Sequence, residues 1–337
     1  MDKIIIGITH GDINGIGYEV LLKTLEDNRI LEFCTPIVYG SPKVAAYHRK
    51  LTDVNLNLNL IGKAEDANET RINIINCSGD EIKVDLGKST PAAGEAAFAA
   101  LERATQDLKE GKIDALLTAP INKLGIQSTQ FNFPGHTEYL EQLFGNKGDA
   151  LMILANDTLR VAVVTGHVPI CKIAELLTID NILNKIKQFN TSLKQDFGIT
   201  KPRIAVLGLN PHAGDGGVIG TEEQEIILPA IQKARDEEGI TCFGPLPADG
   251  FFGAEAYTHY DGVLAMYHDQ GLIPFKVLSM DNGVNFTAGL SIVRTSPDHG
   301  TAYDKAGKNQ ASAQSFRQAL YMAIDIVKQR NNNHDSL

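Results

Sequence analysis

Short apolar runs alternate with longer stretches of helical period along almost the whole chain, and this alternation restricts the fold more than any other feature. Runs at 3–9, 36–39, 72–77, 115–118, 151–154, 160–164, 203–208 and 262–267 read as buried strands. Between them, Thr90-Pro91 reads as an N-cap followed by proline at the first helical position. Ala97, Leu101, Ala104 and Leu108 then recur at helical spacing. Ile179, Leu183, Ile186, Phe189 and Leu193 form a second stripe closed by Gly198, and Phe316, Leu320, Ala323 and Val327 form a third before a polar, fraying tail at 331–337. The pattern predicts an α/β protein. At 337 residues it allows one large domain or two medium ones. No repeat or low-complexity linker interrupts the chain, so two domains would be joined by more than one crossing.

Composition narrows the function classes. The longest apolar runs, such as 150–155, fall far short of the roughly 20 residues a membrane span needs. The start, MDKIIIGITHGD, lacks a cationic region ahead of a long apolar core, so no signal peptide is expected. Cys34, Cys77, Cys171 and Cys242 form no C-x-x-C pair, which argues against a disulfide framework or zinc knuckle and favours a reducing cytoplasm. With 31 Lys and Arg against 41 Asp and Glu, the net charge is −10 and no basic run stands out. Nucleic acid is thereby a poor partner. An anionic small molecule remains possible if its cationic ligands are gathered locally.

The glycine-rich G-I-T-H-G-D-I-N-G-I-G (7–17) lies between the first strand and a helix. Its spacing is not G-x-G-x-x-G, and His10 and Asp12 stand where a dinucleotide turn is small or neutral. A tight strand–helix turn is expected there instead.

Three histidines share one position type. R-V-A-V-V-T-G-H ends at His167, I-A-V-L-G-L-N-P-H at His212, and G-V-L-A-M-Y-H at His268, each just past a strand's carboxyl end. Ligands bind at that edge of open α/β sheets. Neutral imidazole is the commonest ligand for zinc and related ions, and three protein ligands with an open position describe a catalytic site. Spacing alone leaves a metal triad and three separate structural histidines both open.

Candidate anion binders lie around them. F-P-G-H-T-E-Y (133–139) puts His136 and Thr137 at a helix N-terminus, where amides and dipole favour a phosphate or carboxylate, though Thr137 can equally be a plain N-cap. Lys276 and Arg294 are either cleft cations or ordinary surface charges.

In sequence order, T-A-P-I-N-K (118–123), P-G-H-T-E (134–138), T-G-H-V-P (165–169), G-L-N-P-H-A-G-D-G-G (208–217), G-T-E-E (220–223), G-P-L-P-A-D (244–249), M-Y-H-D-Q-G-L-I-P-F-K (266–276), G-V-N (283–285) and R-T-S-P-D-H-G-T-A (294–302) resemble the PdxA family of 4-hydroxythreonine-4-phosphate dehydrogenases of vitamin B6 (pyridoxine) biosynthesis. The resemblance implies an isocitrate/isopropylmalate dehydrogenase-like fold: two α/β domains, residues 1–130 plus 295–337 and residues 131–294, with the active site in the cleft. It implies metal ligands at His167, His212 and His268, and substrate contacts at His136, Thr137, Lys276, Asn285 and Arg294. Asp249 and Lys276 are the candidates for proton transfer. The segment 298–308, D-H-G-T-A-Y-D-K-A-G-K, is similar to the cofactor segment of those dehydrogenases and points to His299, Gly300, Thr301 and Ala302 as contacts for NAD or NADP.

The implied reaction is oxidation of the secondary alcohol of 4-phosphohydroxy-L-threonine, assisted by one divalent ion (zinc, magnesium or cobalt), to a 2-amino-3-oxo acid that decarboxylates to 3-amino-2-oxopropyl phosphate. A homodimer is implied, with one metal histidine supplied by the neighbouring subunit, and a cytoplasmic location fits. On this reading, 208–217 is a strand-end turn aiming His212 at a metal rather than a phosphate cradle. The alternatives are a related dehydrogenase acting on threonate or erythronate phosphate or a cyclic diol and, more remotely, a phosphotransacetylase-like acyltransferase. One departure stands out. The family's first loop usually reads T-P-G-D-P-A-G-I-G-P-E, whereas this chain has His10, Ile13, Asn14 and Tyr18 at the variable points. The loop's shape is expected to survive, and its contacts are in doubt.

Overall fold

Thr90 and Pro91 do what their residue types predict. The Thr90 hydroxyl accepts from the Ala93 amide at 3.3 Å and Pro91 starts a long helix. The computed structural model describes residues 3–79 and 82–334. The chain divides into one unit reaching to Asn146 with Leu290–Lys328 added, and a second of Lys147–Gly289 with the residues from Gln329 on.

In the first unit the strands are β1 (Ile4–Thr9), β2 (Cys34–Gly40), β3 (Leu58–Ile61), β4 (Ile72–Asn76), β5 (Ala115–Thr118) and β12 (Val293–Pro297). They run β3-β4-β2-β1-β5-β12, all parallel. Helices α1 (Gly17–Leu25), α2 (Pro42–Thr52), α3 (Pro91–Lys109) and α4 (His136–Phe144) belong to this unit. Parallel strands need crossovers and are covered on both faces, which is why Ile6, Ile8, Ile37, Val38, Leu116 and Leu117 are wholly buried. Residues 131–146 belong here rather than with the second unit because Phe131 and Tyr139 pack edge-on against Phe98 of α3, at 5.8 and 6.1 Å between ring centroids.

The second unit holds β6 (Leu151–Ala155), β7 (Arg160–Thr165), β8 (Ile204–Leu207), β9 (Cys242–Leu246), β10 (Gly262–Tyr267) and β11 (Val284–Ala288) in the order β11-β6-β7-β10-β8-β9. The two pairs on the β6 side are antiparallel and the remaining three parallel. Its helices are α5 (Ile173–Leu176), α6 (Ile179–Gln195), α7 (Leu228–Asp236), α8 (Ala248–Gly253) and α9 (His268–Ser279). Val161, Val163, Ala205, Val263 and Ala265 meet Leu272 and Phe275 of α9 in one apolar cluster. The last helix, α10 (Gln314–His334), buries Phe316, Leu320, Ala323 and Val327, the stripe read from the sequence. It continues to His334 rather than fraying at 331; the rest of the tail lies outside the described residues. Its final turns belong with the second unit through Arg330, which donates to Asp196 at 2.7 Å.

Candidate active site

The histidine half of the site follows from strand register. β7 and β10 are adjacent and parallel, with Thr165 beside Tyr267, so the residues just past their carboxyl ends fall side by side. His167 and His268 meet there, ring centroids 5.5 Å apart and planes 42° apart. The Nδ1 of His268 bonds Asp269 Oδ1 at 2.7 Å, which fixes the ring's orientation and leaves Nε2 as the nitrogen for other contacts. β8 is the next strand over, so the turn carrying His212 leaves the same edge. Gln270 ties the two turns together, donating to the Gly208 carbonyl at 2.6 Å and accepting from the Met266 amide at 2.7 Å.

His212 sits in unusual backbone. Residues 212–216 all have positive φ: 55° at His212, 52° at Ala213, 81° at Gly214, 43° at Asp215 and 65° at Gly216. For each non-glycine residue this conformation costs about 1–2 kcal/mol, so neighbouring contacts must hold the turn. Among the described residues, no three His, Cys, Asp or Glu side chains gather closely enough to hold a metal ion. One copy of the chain therefore presents a histidine pair and, separately, His212.

The other predicted residues of this unit are more dispersed. Asp249 is exposed in the first turn of α8, after β9. Lys276 lies two turns along α9 from His268, about 12 Å down the helix. Asn285 pairs with Leu154, and Leu154 with Val161, which places Asn285 about 13 Å below the Thr165 level at the opposite end of the strands. Its Oδ1 is buried without a hydrogen-bond partner.

The first unit builds a cationic corner. Arg294, on β12 beside Leu116 of β5, is only 3% exposed and donates Nε and Nη2 to Thr118 Oγ1 at 3.1 and 2.7 Å. Burial pulls its pKa down to about 10, against the opposing pull of the Glu138 carboxylate. His136 opens α4, with Thr137 next in its first turn. Desolvation, then the charges of Arg294 and Lys123, hold the His136 pKa well below the ordinary imidazole value. A neutral imidazole, two cations and a helix N-terminus are groups of the kind that can bind an anion. Sequence reasoning named His136, Thr137 and Arg294. It missed Thr118, the last residue of β5, and Lys123, although both stand in T-A-P-I-N-K.

The first loop closes on the candidate cofactor segment. Ile16 donates its amide to the Thr301 carbonyl at 3.0 Å, and Tyr303 donates to Asp12 Oδ2 at 2.6 Å. A Cβ on Gly15 would come within 2.7 Å of the Thr301 oxygen. Burial raises the Asp12 pKa. Asn14 fastens the other flank, donating Nδ2 to Lys88 O and Thr90 Oγ1 at 2.9 and 3.0 Å and accepting from the Asp85 amide at 2.7 Å. His299, Gly300, Thr301 and Ala302 form irregular chain after β12, with His299 Nδ1 3.1 Å from the Gly300 carbonyl. His10 and Tyr18 fill the loop's interior as a stacked pair.

Comparison with known proteins identifies the family. The family model of the pyridoxal phosphate biosynthetic protein PdxA matches residues 32–323. A 4-hydroxythreonine-4-phosphate dehydrogenase of Bacteroides thetaiotaomicron is 60% identical over 98% of this chain and 90% of its own. A relative from Oceanobacillus iheyensis, named for D-threonate 4-phosphate, is 42% identical over 96% of this chain and 98% of its own. The crystal structure of 4-hydroxythreonine-4-phosphate dehydrogenase from Klebsiella pneumoniae superposes with a TM-score of 0.84 at 35% identity, covering 97% of this chain and 98% of that one. An isocitrate dehydrogenase from Methylococcus capsulatus shares the fold, with a TM-score of 0.53 at 12% identity over 98% of this chain and 88% of that one. In sequence and in structure, this chain belongs to the PdxA family of pyridoxal phosphate biosynthetic dehydrogenases.

Proposed function

We propose that this chain oxidises the secondary alcohol of 4-hydroxythreonine 4-phosphate with NAD or NADP, giving a 2-amino-3-oxo acid that decarboxylates to 3-amino-2-oxopropyl phosphate. The observation that carries the reading is the pairing of His167 and His268 past two adjacent parallel strands, with Asp269 orienting His268. The imidazole set suits zinc or cobalt, magnesium would rely more on oxygen ligands from substrate or water, and His212 would be the third protein ligand. Such an ion lowers the pKa of an alcohol and stabilises negative charge on its oxygen. His299, Gly300, Thr301 and Ala302, which lie against the first loop, would hold a nicotinamide cofactor, which would supply the hydride acceptor.

The remaining roles belong to side chains on the page. Arg294, Lys123 and the α4 N-terminus with His136 and Thr137 bind the substrate's anionic groups, Arg294 as a preoriented guanidinium. Asn285, with its unpartnered buried oxygen, and Lys276 are further substrate contacts, and Asp249 or Lys276 handles the hydroxyl proton.

A homodimer completes the site on this reading. Two features support it: Asn285 lies at the far end of the strands from its own chain's histidines, and α9, which starts at His268, exposes Ile273 and Val277, with Met280 exposed just past its end. Among the described residues no helix is long and apolar enough to cross a membrane, and a cytoplasmic location is proposed.

A second reading has its own support in the relative named for D-threonate 4-phosphate. Steady-state assays of the purified protein with 4-hydroxythreonine 4-phosphate, threonate 4-phosphate and erythronate 4-phosphate, each with NAD and NADP, separate the two. The proposal expects the highest kcat/KM with 4-hydroxythreonine 4-phosphate; turnover of only a sugar-acid phosphate overturns it.

A further inference from the structure

The turn that carries His212 is held by a buried carboxylate in addition to its own backbone hydrogen bonds, Ala213 N to Asn210 O at 3.1 Å and Ile219 N to Gly214 O at 3.0 Å. A succession of left-handed residues does not persist unaided in an L-polypeptide, and the support here is Glu223. Its side chain is buried, 2% exposed. Oε1 accepts from the Leu209 and Asn210 amides, both at 2.7 Å. Oε2 accepts from Asn210 Nδ2 at 3.0 Å, and the neighbouring Glu222 Oε2 takes the same Nδ2 at 2.7 Å. Two glycines make room for the carboxylate: a Cβ on Gly214 would lie 2.6 Å from Oε2 and one on Gly208 3.1 Å from Oε1. Glu223 thus grips the chain two and three residues before His212 and fills the space under the residue two after it.

We propose that Glu223, seconded by Glu222 through Asn210, is the positioning residue for His212, fixing the left-handed turn so that the imidazole is presented to a divalent metal. This rests on the reading of His212 as a metal ligand. Glu223 is not itself the ligand, since both of its oxygens are engaged by N–H donors inside the turn. The grip explains why G-T-E-E and G-L-N-P-H-A-G-D-G-G occur together: the first supplies the carboxylates and the second the amides, the glycines and the imidazole.

The test is cobalt(II) titration of the full-length protein, followed by visible absorption, for wild type, Glu223→Gln, Asn210→Ala and His212→Ala. Gln keeps the size of Glu223 but turns one acceptor into an amide facing Asn210 Nδ2. The inference expects cobalt affinity to fall about 10- to 100-fold, an altered cobalt spectrum, and kcat restored by excess metal in Glu223→Gln but not in His212→Ala. A protein that merely lost stability would show a lower melting temperature with wild-type affinity and spectrum. Should Glu223→Gln fail to fold, Asn210→Ala carries the expectation in the same direction and to a smaller extent, because it removes the Nδ2 contact to both carboxylates and leaves the amide bonds in place. Wild-type cobalt affinity and spectrum in these variants, with binding lost in His212→Ala, overturns the positioning role alone. Undiminished binding in His212→Ala overturns the metal reading and this inference with it.

Discussion

Tyr18 lies flat on His10, with ring centroids 4.9 Å apart and planes 8° from parallel. On its other face Tyr18 stacks on His48 at 5.2 Å, and His48 Nε2 bonds the Ile13 carbonyl at 2.8 Å. Burial lowers the His10 pKa to about 4, with the nearby His48 adding to the effect and backbone contacts at Gly11 and Ala96 opposing it. The imidazole is therefore neutral in the fold while the same group in the unfolded chain takes a proton near pH 6.5. The stability it allows is complete above pH 6.5 and is lost as pH falls towards 4, to about 3 kcal/mol. Urea unfolding at steps between pH 7 and 4 should show that decline, and His10→Phe should flatten it. An equally steep decline in His10→Phe would place the acid sensitivity elsewhere.

Arg294 relies on Thr118 for a buried acceptor. Thr118→Val keeps the shape, removes the oxygen that both Nε and Nη2 use, and is expected to destabilise the protein by about 1–3 kcal/mol. Arg294→Lys keeps charge but loses the planar grip, and its KM for phosphorylated substrate should rise about 10- to 100-fold. Steady-state kinetics and chemical denaturation read the two effects apart, and an unchanged KM in Arg294→Lys would remove the anion corner from the site.

Gly15 is required by a close approach. Gly15→Ala drives a methyl group onto the Thr301 carbonyl and should part the first loop from the segment 299–302. KM for NAD or NADP is expected to rise several-fold while KM for the phosphorylated substrate stays near wild type. The opposite split would mean that the segment serves the substrate instead.

Phe275 of α9 is wholly buried in the cluster under the histidine-bearing strands. Phe275→Ala should cost about 3–5 kcal/mol, measured by urea denaturation. A loss below 1 kcal/mol would show that this cluster does not support the histidine edge.

How much of this was legible in the sequence depends on which force set each piece. Strands with continuous apolar runs, such as β1, β7 and β10, were readable because burial on both faces leaves only apolar residues. β9, C-F-G-P-L, was not, because Gly and Pro mark a turn and are tolerated only where a strand lies at an edge, as β9 does. β12, V-R-T-S-P, was hidden because Arg294 and Thr295 are polar yet buried by specific partners. β3 escaped because it is short and half exposed. The histidines were visible as strand-end residues, but their pairing depends on β7 lying next to β10, a long-range register that no local pattern encodes. Asn285 shows the same limit: its residue type reads as a contact, while its place at the far strand end is set by the antiparallel pairing of β11 with β6. Glu223 was visible only as a letter in a motif, since its partners lie 13 and 14 residues back along the chain.

The most direct test of a metal-assisted dehydrogenase is reduction of NAD or NADP with 4-hydroxythreonine 4-phosphate, followed before chelation, after removal of divalent ions, and after their return. The account predicts turnover that is lost on chelation, regained with zinc, magnesium or cobalt, and abolished in His167→Ala and His268→Ala. An undiminished rate in the chelated protein, or in either histidine variant, would contradict it.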